Sequence, residues 1–516
     1  MKRFPILFAL VCFSSAGALE LPNIFSDHMV LQREAPVRIW GKAEPGALVQ
    51  VNFSGESVSS KVADDGRWEL YLPALEASFE SRELTVVSGD IRHAFRDVLV
   101  GEVWLASGQS NMGWSVAKSI DHDILELGAN DAFLRLHPVR HNPSREHEFS
   151  APGRWWPDIP SQVAGFSAVG YQFAQDLRKT LQVPVGIIRS TVGGTPIIAW
   201  TREEKFDLLP ELMEKNAEWE QALARYDEDY ARWEKDYAEW LDQNGLEADY
   251  EAHRWNGAPW QPENAASPRR PASLANGMIL PIAGYTIRGV IWYQGEYDAG
   301  GSPETYDQRL RVMIEDWREL WDTEELPFGI VQLANFMKSQ PGPVSSTWSE
   351  LRESQRRMAV SDPDVGLVVA IDVGEGNDIH PRDKFTVARR LARWALASVY
   401  GEIELGGGPE IVKARRENTK ILLSFVQTGS GLHAYGSDEL SGFTVSDSLV
   451  EPDKQGETNF YPVHAEIVSK TVVELNIPEG KNPVRVRYAW QSNPLNANLR
   501  NVERLPASPF EIKISE

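Results

Sequence analysis

The sequence predicts an α/β domain on a mainly parallel sheet, with helices on both faces and small β-sandwich-like domains on either side. Three observations carry that expectation. Through the middle of the chain, nearly continuous apolar runs of the kind found in strands covered on both faces alternate with segments of helical spacing. Before them, short alternating runs are separated by turn residues. After Tyr400, β-like runs resume to the C-terminus.

The first elements in order are not part of the fold. Lys2 and Arg3, the apolar run from Phe4 to Phe13 and the Ala16-Gly17-Ala18 cleavage pattern compose a secretory signal over residues 1–18. It is too short to span a bilayer stably. Cys12, the only cysteine, lies inside it, so the mature chain is expected to carry no disulfide, a habit of exported bacterial proteins. The expected location is the periplasm or the medium outside the cell, with no membrane span. Lys and Arg number 52 against 74 Asp and Glu, a net charge of −22. That balance argues against nucleic acid or an anionic membrane as partner, because both need a basic surface.

Residues 19–97 read as an N-terminal β-sandwich. Val37-Arg38-Ile39-Trp40 and Val49-Gln50-Val51-Asn52-Phe53 alternate or nearly so, and Pro45-Gly46 and Asp64-Asp65-Gly66 break them. The α/β domain is expected over 98–400. It opens with the apolar strand from Val98 to Ala106 and continues with helical spacing from Phe166 to Leu181. Strands follow at Val185 to Ile188, Gly289 to Tyr293 and Val365 to Ile371, with helices at Tyr306 to Trp321 and Thr347 to Val360. A helical insertion occupies about 203–272. In it Trp219, Leu223, Tyr226, Tyr230, Trp233, Tyr237 and Trp240 recur at steps of four and three, which predicts one long helix with an aromatic seam. The seam is expected to pack on the α/β core or on a second short helix, with a carbohydrate cleft or an oligomer contact as the other uses. Residues 401–516 form a C-terminal β-rich domain.

Four polar clusters follow predicted parallel strands, where open α/β sheets bind ligands. The first is Gly108-Gln109-Ser110-Asn111-Met112, a sharp turn offering a serine and outward N–H groups. It is not the G-x-S-x-G elbow, since Met112 stands in the last glycine's place. The others are Gly193-Gly194-Thr195, Trp292 to Asp298, and Asp378-Ile379-His380-Pro381. Together they supply a nucleophile, a base with its carboxylate and amide donors in one crevice.

With these motifs on view, the chain resembles the sialate O-acetylesterases of the larger SGNH-hydrolase group. The resemblance rests on those four blocks, extended to Lys384, and on Asp27 to Gln32, Asn276-Gly277-Met278-Ile279 and Leu505 to Phe510. It covers nearly the whole mature chain. It implies an SGNH-type fold, an acetylated saccharide as substrate and no metal or cofactor. It further implies Ser110 as nucleophile, His380 as general base and Asp378 as its orienting carboxylate. The oxyanion hole would use the N–H of Ser110, an N–H of Gly193 or Gly194, and the Gln294 side chain. Gln109, Asn111, Glu296 and Asp298 are candidate substrate contacts. Members act on sialic acids or on plant polysaccharides, so acetylxylan or a related hemicellulose is an alternative substrate. Two departures stand out. Tyr297-Asp298 replaces the polar pair usual after Gly-Glu, and Asp-x-His is tighter than the Asp-x-x-His found elsewhere in the group, which keeps Asp372 open as the partner of His380.

Three other functions are open to the same residues. A glycoside hydrolase would use Glu296 and Asp298 as its carboxylate pair. A non-catalytic carbohydrate binder would use the 18 tryptophans as platforms, although burial explains most of them better. A metal site would use His137 and His141 at i, i+4 with His147 nearby, but Pro138 disfavours the helix that this spacing needs.

Overall fold

The computed structural model describes residues 19–253, 256–344, 346–450 and 459–516. The expected signal, residues 1–18, lies outside the described residues. At the centre is a six-stranded parallel sheet. Its strands are β1 (Ile91–Gly108), β2 (Leu134–Pro138), β3 (Val185–Thr191), β4 (Gly289–Tyr293), β5 (Phe328–Val331) and β6 (Val365–Val368), in the spatial order β6-β5-β4-β1-β3-β2. A short segment, Trp156–Pro157, adds antiparallel to the β2 edge. As predicted, the stretch from Val98 to Ala106 and the strands β3 and β4 are buried on both faces, apart from the C-terminal end of β3. Trp104 and Ala106 of β1 point to one face and Val103 and Leu105 to the other, in step with the pleat.

Four longer helices cover those faces. The helices α1 (Ala168–Leu181) and α4 (Lys384–Ser398) pack together on one side through Val169, Phe173, Leu177, Val387, Leu391 and Trp394. On the other side lie α2 (Tyr306–Leu320) and α3 (Thr347–Ser361), with Leu310, Met313, Trp317, Leu351 and Met358 inward. The chain leaves β1 toward β2, returns to β3 beside β1, and then crosses to β4 on the other flank. The switch of direction opens a crevice at the C-terminal ends of β1, β3 and β4.

The strand β1 is long because it serves two sheets. Its first half pairs with Ser78–Ser88 and, in parallel, with Val30–Gln32 of the N-terminal β region; its second half pairs with β3 and β4. At the junction sits Glu102, 0% exposed. It accepts from Gln32 Nε2 at 3.1 Å, Arg33 Nε, Arg288 Nε at 2.9 Å and the Tyr400 hydroxyl at 2.9 Å. Burial opposes its ionisation, yet Arg288, Arg33 and Gln32 hold the carboxyl below the usual glutamate range.

The C-terminal region consists mainly of two four-stranded antiparallel sheets around Ile421, Leu423, Val445, Val473, Leu475 and Phe510. It docks on the α/β sheet through the buried Arg352. That guanidinium donates to the carbonyls of Leu333, Ala334, Gln491 and Ser492, and burial lowers its pKa to about 9.

The insertion corrects one expectation. The seam is carried by two helices, Pro210–Ala224 and Tyr226–Asn244, because Arg225 leaves helical geometry at ψ 6°. Asp227, Glu228 and Asp229 favour a new helix start just there, where negative charge suits the N-terminal dipole. Trp233 and Tyr237 stack at 5.3 Å and pack against Tyr250 of the short helix Tyr250–His253. Trp233 Nε1 donates to the Pro259 carbonyl at 3.0 Å, so the seam is closed by its own return segment. Among the described residues, no helix is long and apolar enough to cross a membrane.

Removing one partner from a buried ion pair strands the others. Glu102→Ala is therefore expected to lower the unfolding free energy by about 3–5 kcal/mol at neutral pH. The native carboxyl titrates below its unfolded value, so this contribution is complete above the usual glutamate range and fades as pH falls through it. Urea denaturation of the two proteins at pH 7 and at pH 4 checks both statements. Equal stability at pH 7 contradicts the assignment.

Candidate active site

The site begins where β1 stops. Gly108 has φ +129°, and a Cβ there would lie 2.2 Å from the Tyr293 carbonyl oxygen of the neighbouring strand. Only glycine permits this approach. The turn is held by Gln109 N–H to Tyr293 O at 3.0 Å and Val192 N–H to Gly108 O at 3.1 Å. Ser110 then opens a single helical turn, Ser110–Gly113, and its hydroxyl faces the crevice end of the sheet. After β3, Gly193 packs on Ser110: a Cβ at 193 would sit 3.2 Å from the Ser110 Cβ. Among the described residues, no protein acceptor takes the backbone N–H of Ser110, Gly193 or Gly194.

His380 comes from the loop between β6 and α4. Asp378 N–H donates to Glu375 O at 3.0 Å, and Arg382 N–H to a Glu375 carboxylate oxygen at 3.0 Å, which closes the loop tightly. Asn111 Nδ2 donates to Ile379 O at 3.0 Å and pins the loop on the serine turn. His380 Nε2 lies 2.9 Å from Ser110 Oγ. On the other side of the ring, Asp378 Oδ1 is 3.6 Å from Nδ1, too long for a hydrogen bond, and accepts instead from the His380 backbone N–H at 2.8 Å. The Asp378 side chain is 51% exposed against 29% for His380, so solvent screens the pair. The imidazole stacks on Trp114 at 4.7 Å, with the rings 14° from parallel.

Beneath these groups runs a buried polar chain. Lys384 Nζ donates to Asn111 Oδ1, Asn111 Nδ2 to one oxygen of Glu296, and Gln109 Nε2 to the other. Burial pushes the Lys384 pKa down to about 7, against the attraction of Glu296. Burial raises Glu296, against the hydrogen bond from Asn111. His380 is also lowered, by burial first and by the Lys384 cation second, with Asp378 opposing.

The structure thus gathers Ser110, His380, Asp378, Gly193 and Gly194 at the crevice, with Gln109, Asn111 and Glu296 just behind. It does not deliver the Gln294 amide. Gln294 is 0% exposed, its two N–H groups go to Thr195 O at 3.0 Å and Asp298 Oδ2 at 2.6 Å, and its carbonyl accepts from Tyr306. No donor is left for an oxyanion. Asp298 is likewise buried and occupied by Gln294 and Ile197 N–H, which removes it as a substrate contact and as half of a glycosidase pair with Glu296. Asp372 is bound by Arg390 at 2.7 Å and Arg500 at 3.0 Å, so the carboxylate beside His380 is Asp378. His137 is buried against Trp155, and burial lowers its pKa to about 3. His147 faces Glu204. Among the described residues, no three His, Cys, Asp or Glu side chains are grouped to hold a metal ion. Two participants escaped the sequence: Trp114, four residues past Ser110, and Lys384, at the first position of α4. Their signals were present, an aromatic one turn from the serine and a lysine just after Asp-x-His.

The parallel sheet with a Ser–His pair at its strand ends defines the class, an α/β hydrolytic enzyme. The chain belongs to the carbohydrate esterase family of sialic acid-specific acetylesterases, whose sequence profile matches residues 100–230 and 272–396. It is 28% identical to the sialate O-acetylesterase of Mus musculus, over 99% of this chain and 97% of that protein. It is 30% identical to the enzyme of the same name from Pongo abelii, over 96% and 93%. A crystal structure of a carbohydrate acetylesterase from Xanthomonas citri superposes with TM-score 0.77 at 33% identity, covering 96% of this chain and 99% of that one.

The electrostatics make a directional prediction. The His380 imidazole should titrate below the ordinary histidine value. Lys384→Met, which removes a cation, should raise its pKa, and Asp378→Asn should lower it further. NMR titration of the labelled imidazole in each variant checks the signs. A pKa unmoved in Lys384→Met would contradict the coupling.

Proposed function

We propose that this carbohydrate esterase removes acetyl groups from sugar hydroxyls through an acetyl-enzyme on Ser110. One observation carries the assignment: the 2.9 Å contact of His380 Nε2 with Ser110 Oγ, at the strand ends beside unoccupied backbone donors. A hydroxyl is a weak nucleophile at neutral pH, so His380 takes its proton as Oγ attacks the acetyl carbonyl. The depressed imidazole pKa keeps the ring neutral and ready to accept. The tetrahedral oxyanion is received by the N–H of Ser110 with an N–H of Gly193 or Gly194, a backbone hole without the Gln294 side chain. His380 returns the proton to the departing sugar oxygen. Water, deprotonated by the same imidazole, then releases acetate and regenerates Ser110.

Asp378 stabilises the imidazolium across 3.6 Å of partly solvated space, which assigns it a smaller share than a buried, hydrogen-bonded carboxylate would have. The relatives' names support a sialate ester as substrate, and the family's breadth keeps acetylated hemicellulose beside it. Export is part of the proposal. It is supported by the signal pattern of residues 1–18 and by the absence of cysteine beyond Cys12.

Acetate release from an O-acetylated sialic acid and from acetylated xylan, measured side by side, tests the assignment. Ser110→Ala and His380→Ala should each lose roughly a thousandfold or more in kcat with unchanged circular dichroism. Asp378→Asn should lose only about ten- to a hundredfold, given its screening. Near-wild-type turnover by either of the first two variants would sink the mechanism.

A further inference from the structure

The helical insertion holds a second concave surface. A cleft of about 440 Å³ lies between the helix Tyr226–Asn244, the end of Pro210–Ala224 and the return segment after Pro259. Trp219, Trp233, Pro259, Trp260 and Pro262 form its apolar wall, and Trp260 is 57% exposed. Flat apolar faces beside polar groups suit the C–H faces of a pyranose ring, whose hydroxyls need hydrogen-bond partners. The polar partners are here. The buried indole N–H of Trp219 has no acceptor among the described residues, and the exposed Asp236 carboxylate lines the cleft beside it.

The charge of the lining narrows the ligand. Asp229, Asp236 and Glu263 face one lining cation, Arg232, which Asp229 already holds at 3.2 Å. Arg269, the nearby guanidinium, is paired with Glu263. Among the described residues a carboxylate-bearing sugar meets no uncommitted cation in the lining and is repelled, whereas a neutral sugar donates its hydroxyls to the acids.

A relay of contacts links the cleft to the reaction centre. Glu263 binds Arg269, Arg269 Nε donates to Gly194 O at 2.9 Å, and its guanidinium lies 5.6 Å from the ring of the exposed Tyr297. Gly193, beside Gly194, touches Ser110. Most of this cleft comes from residues 231–271, the stretch that the family profile passes over. We propose that the insertion cleft is a subsite for a neutral saccharide chain whose acetylated unit sits at Ser110. This rests on the esterase assignment and directs it toward a neutral acetylated polysaccharide.

Equilibrium binding with the Ser110→Ala protein tests the subsite apart from turnover. Unacetylated xylohexaose should quench tryptophan fluorescence saturably, and a hexameric oligogalacturonide of the same length should not. Adding Trp260→Ala should weaken xylohexaose binding by about tenfold. Equal binding of the anionic chain, or unchanged affinity in the double variant, overturns the proposal. So does a concentration-dependent sedimentation coefficient that Trp260→Ala abolishes, which would give the cleft to a second copy of the chain. The acetate assay separates the two assignments: if Ser110→Ala retained activity, the mechanism would fail while saturable xylohexaose binding would still stand.

Discussion

The close approach of Gly108 to the Tyr293 carbonyl sets the geometry on which the rest of the site depends. It allows β1 to end flush against β4, so that the next residues turn out of the sheet and present Ser110 over the strand ends. Any side chain at 108 would push the two strands apart and move the hydroxyl with them. The same strand is anchored far from the chemistry, where Glu102 binds cations from the N-terminal region and from the approach to β4. Position at one end of β1 is therefore fixed by ion pairing at its middle. The N-terminal β region shares the strand that delivers Ser110.

Behind the serine, two carboxamides separate a buried cation from a buried anion. Lys384 and Glu296 do not touch; Asn111 accepts from one and donates to the other, while Gln109 completes the carboxylate. Neutral intermediaries satisfy both charges and leave the Lys384 field free to act on His380, whose pKa it helps to lower. A direct Lys–Glu pair would cancel more of that field. Gln109 and Asn111 flank Ser110 in sequence, so the network that tunes His380 also fixes the turn carrying Ser110.

Much of this was legible from residues alone, because it depends on local patterns. Apolar runs such as Val98 to Ala106 report strands buried on both faces, and glycines next to their ends report close backbone approach. The placement of Ser110, His380 and Asp378 in one crevice follows from strands of common direction. What the sequence hid depends on where side chains point after the strand ends. Gln294 follows Tyr293 directly, and it turns inward to Thr195 and Asp298, a choice set by a loop 99 residues earlier. The aromatic seam was visible, but the break at Arg225 was not, since heptad spacing runs across it without a fault. Trp114 stacking on His380 joins residues from two distant strand ends and leaves no periodic trace.

The floor of the site has little capacity left to read a sugar. Gln109, Asn111, Gln294, Glu296 and Asp298 are bonded to one another or to backbone, and apart from the unpartnered Gln109 Oε1 their bonded groups cannot be offered to a substrate without breaking buried hydrogen bonds. Such a floor offers few free groups to the ring that carries an ester. Discrimination among saccharides then falls to groups around the rim, where polar atoms are still uncommitted and aromatic faces are exposed. The acidic, tryptophan-lined insertion is one such place, joined to the Gly193-Gly194 loop by the Arg269 bond to Gly194. In this architecture the sheet brings Ser110 and His380 together, and the elements inserted between its strands supply the exposed aromatic and polar groups farther out.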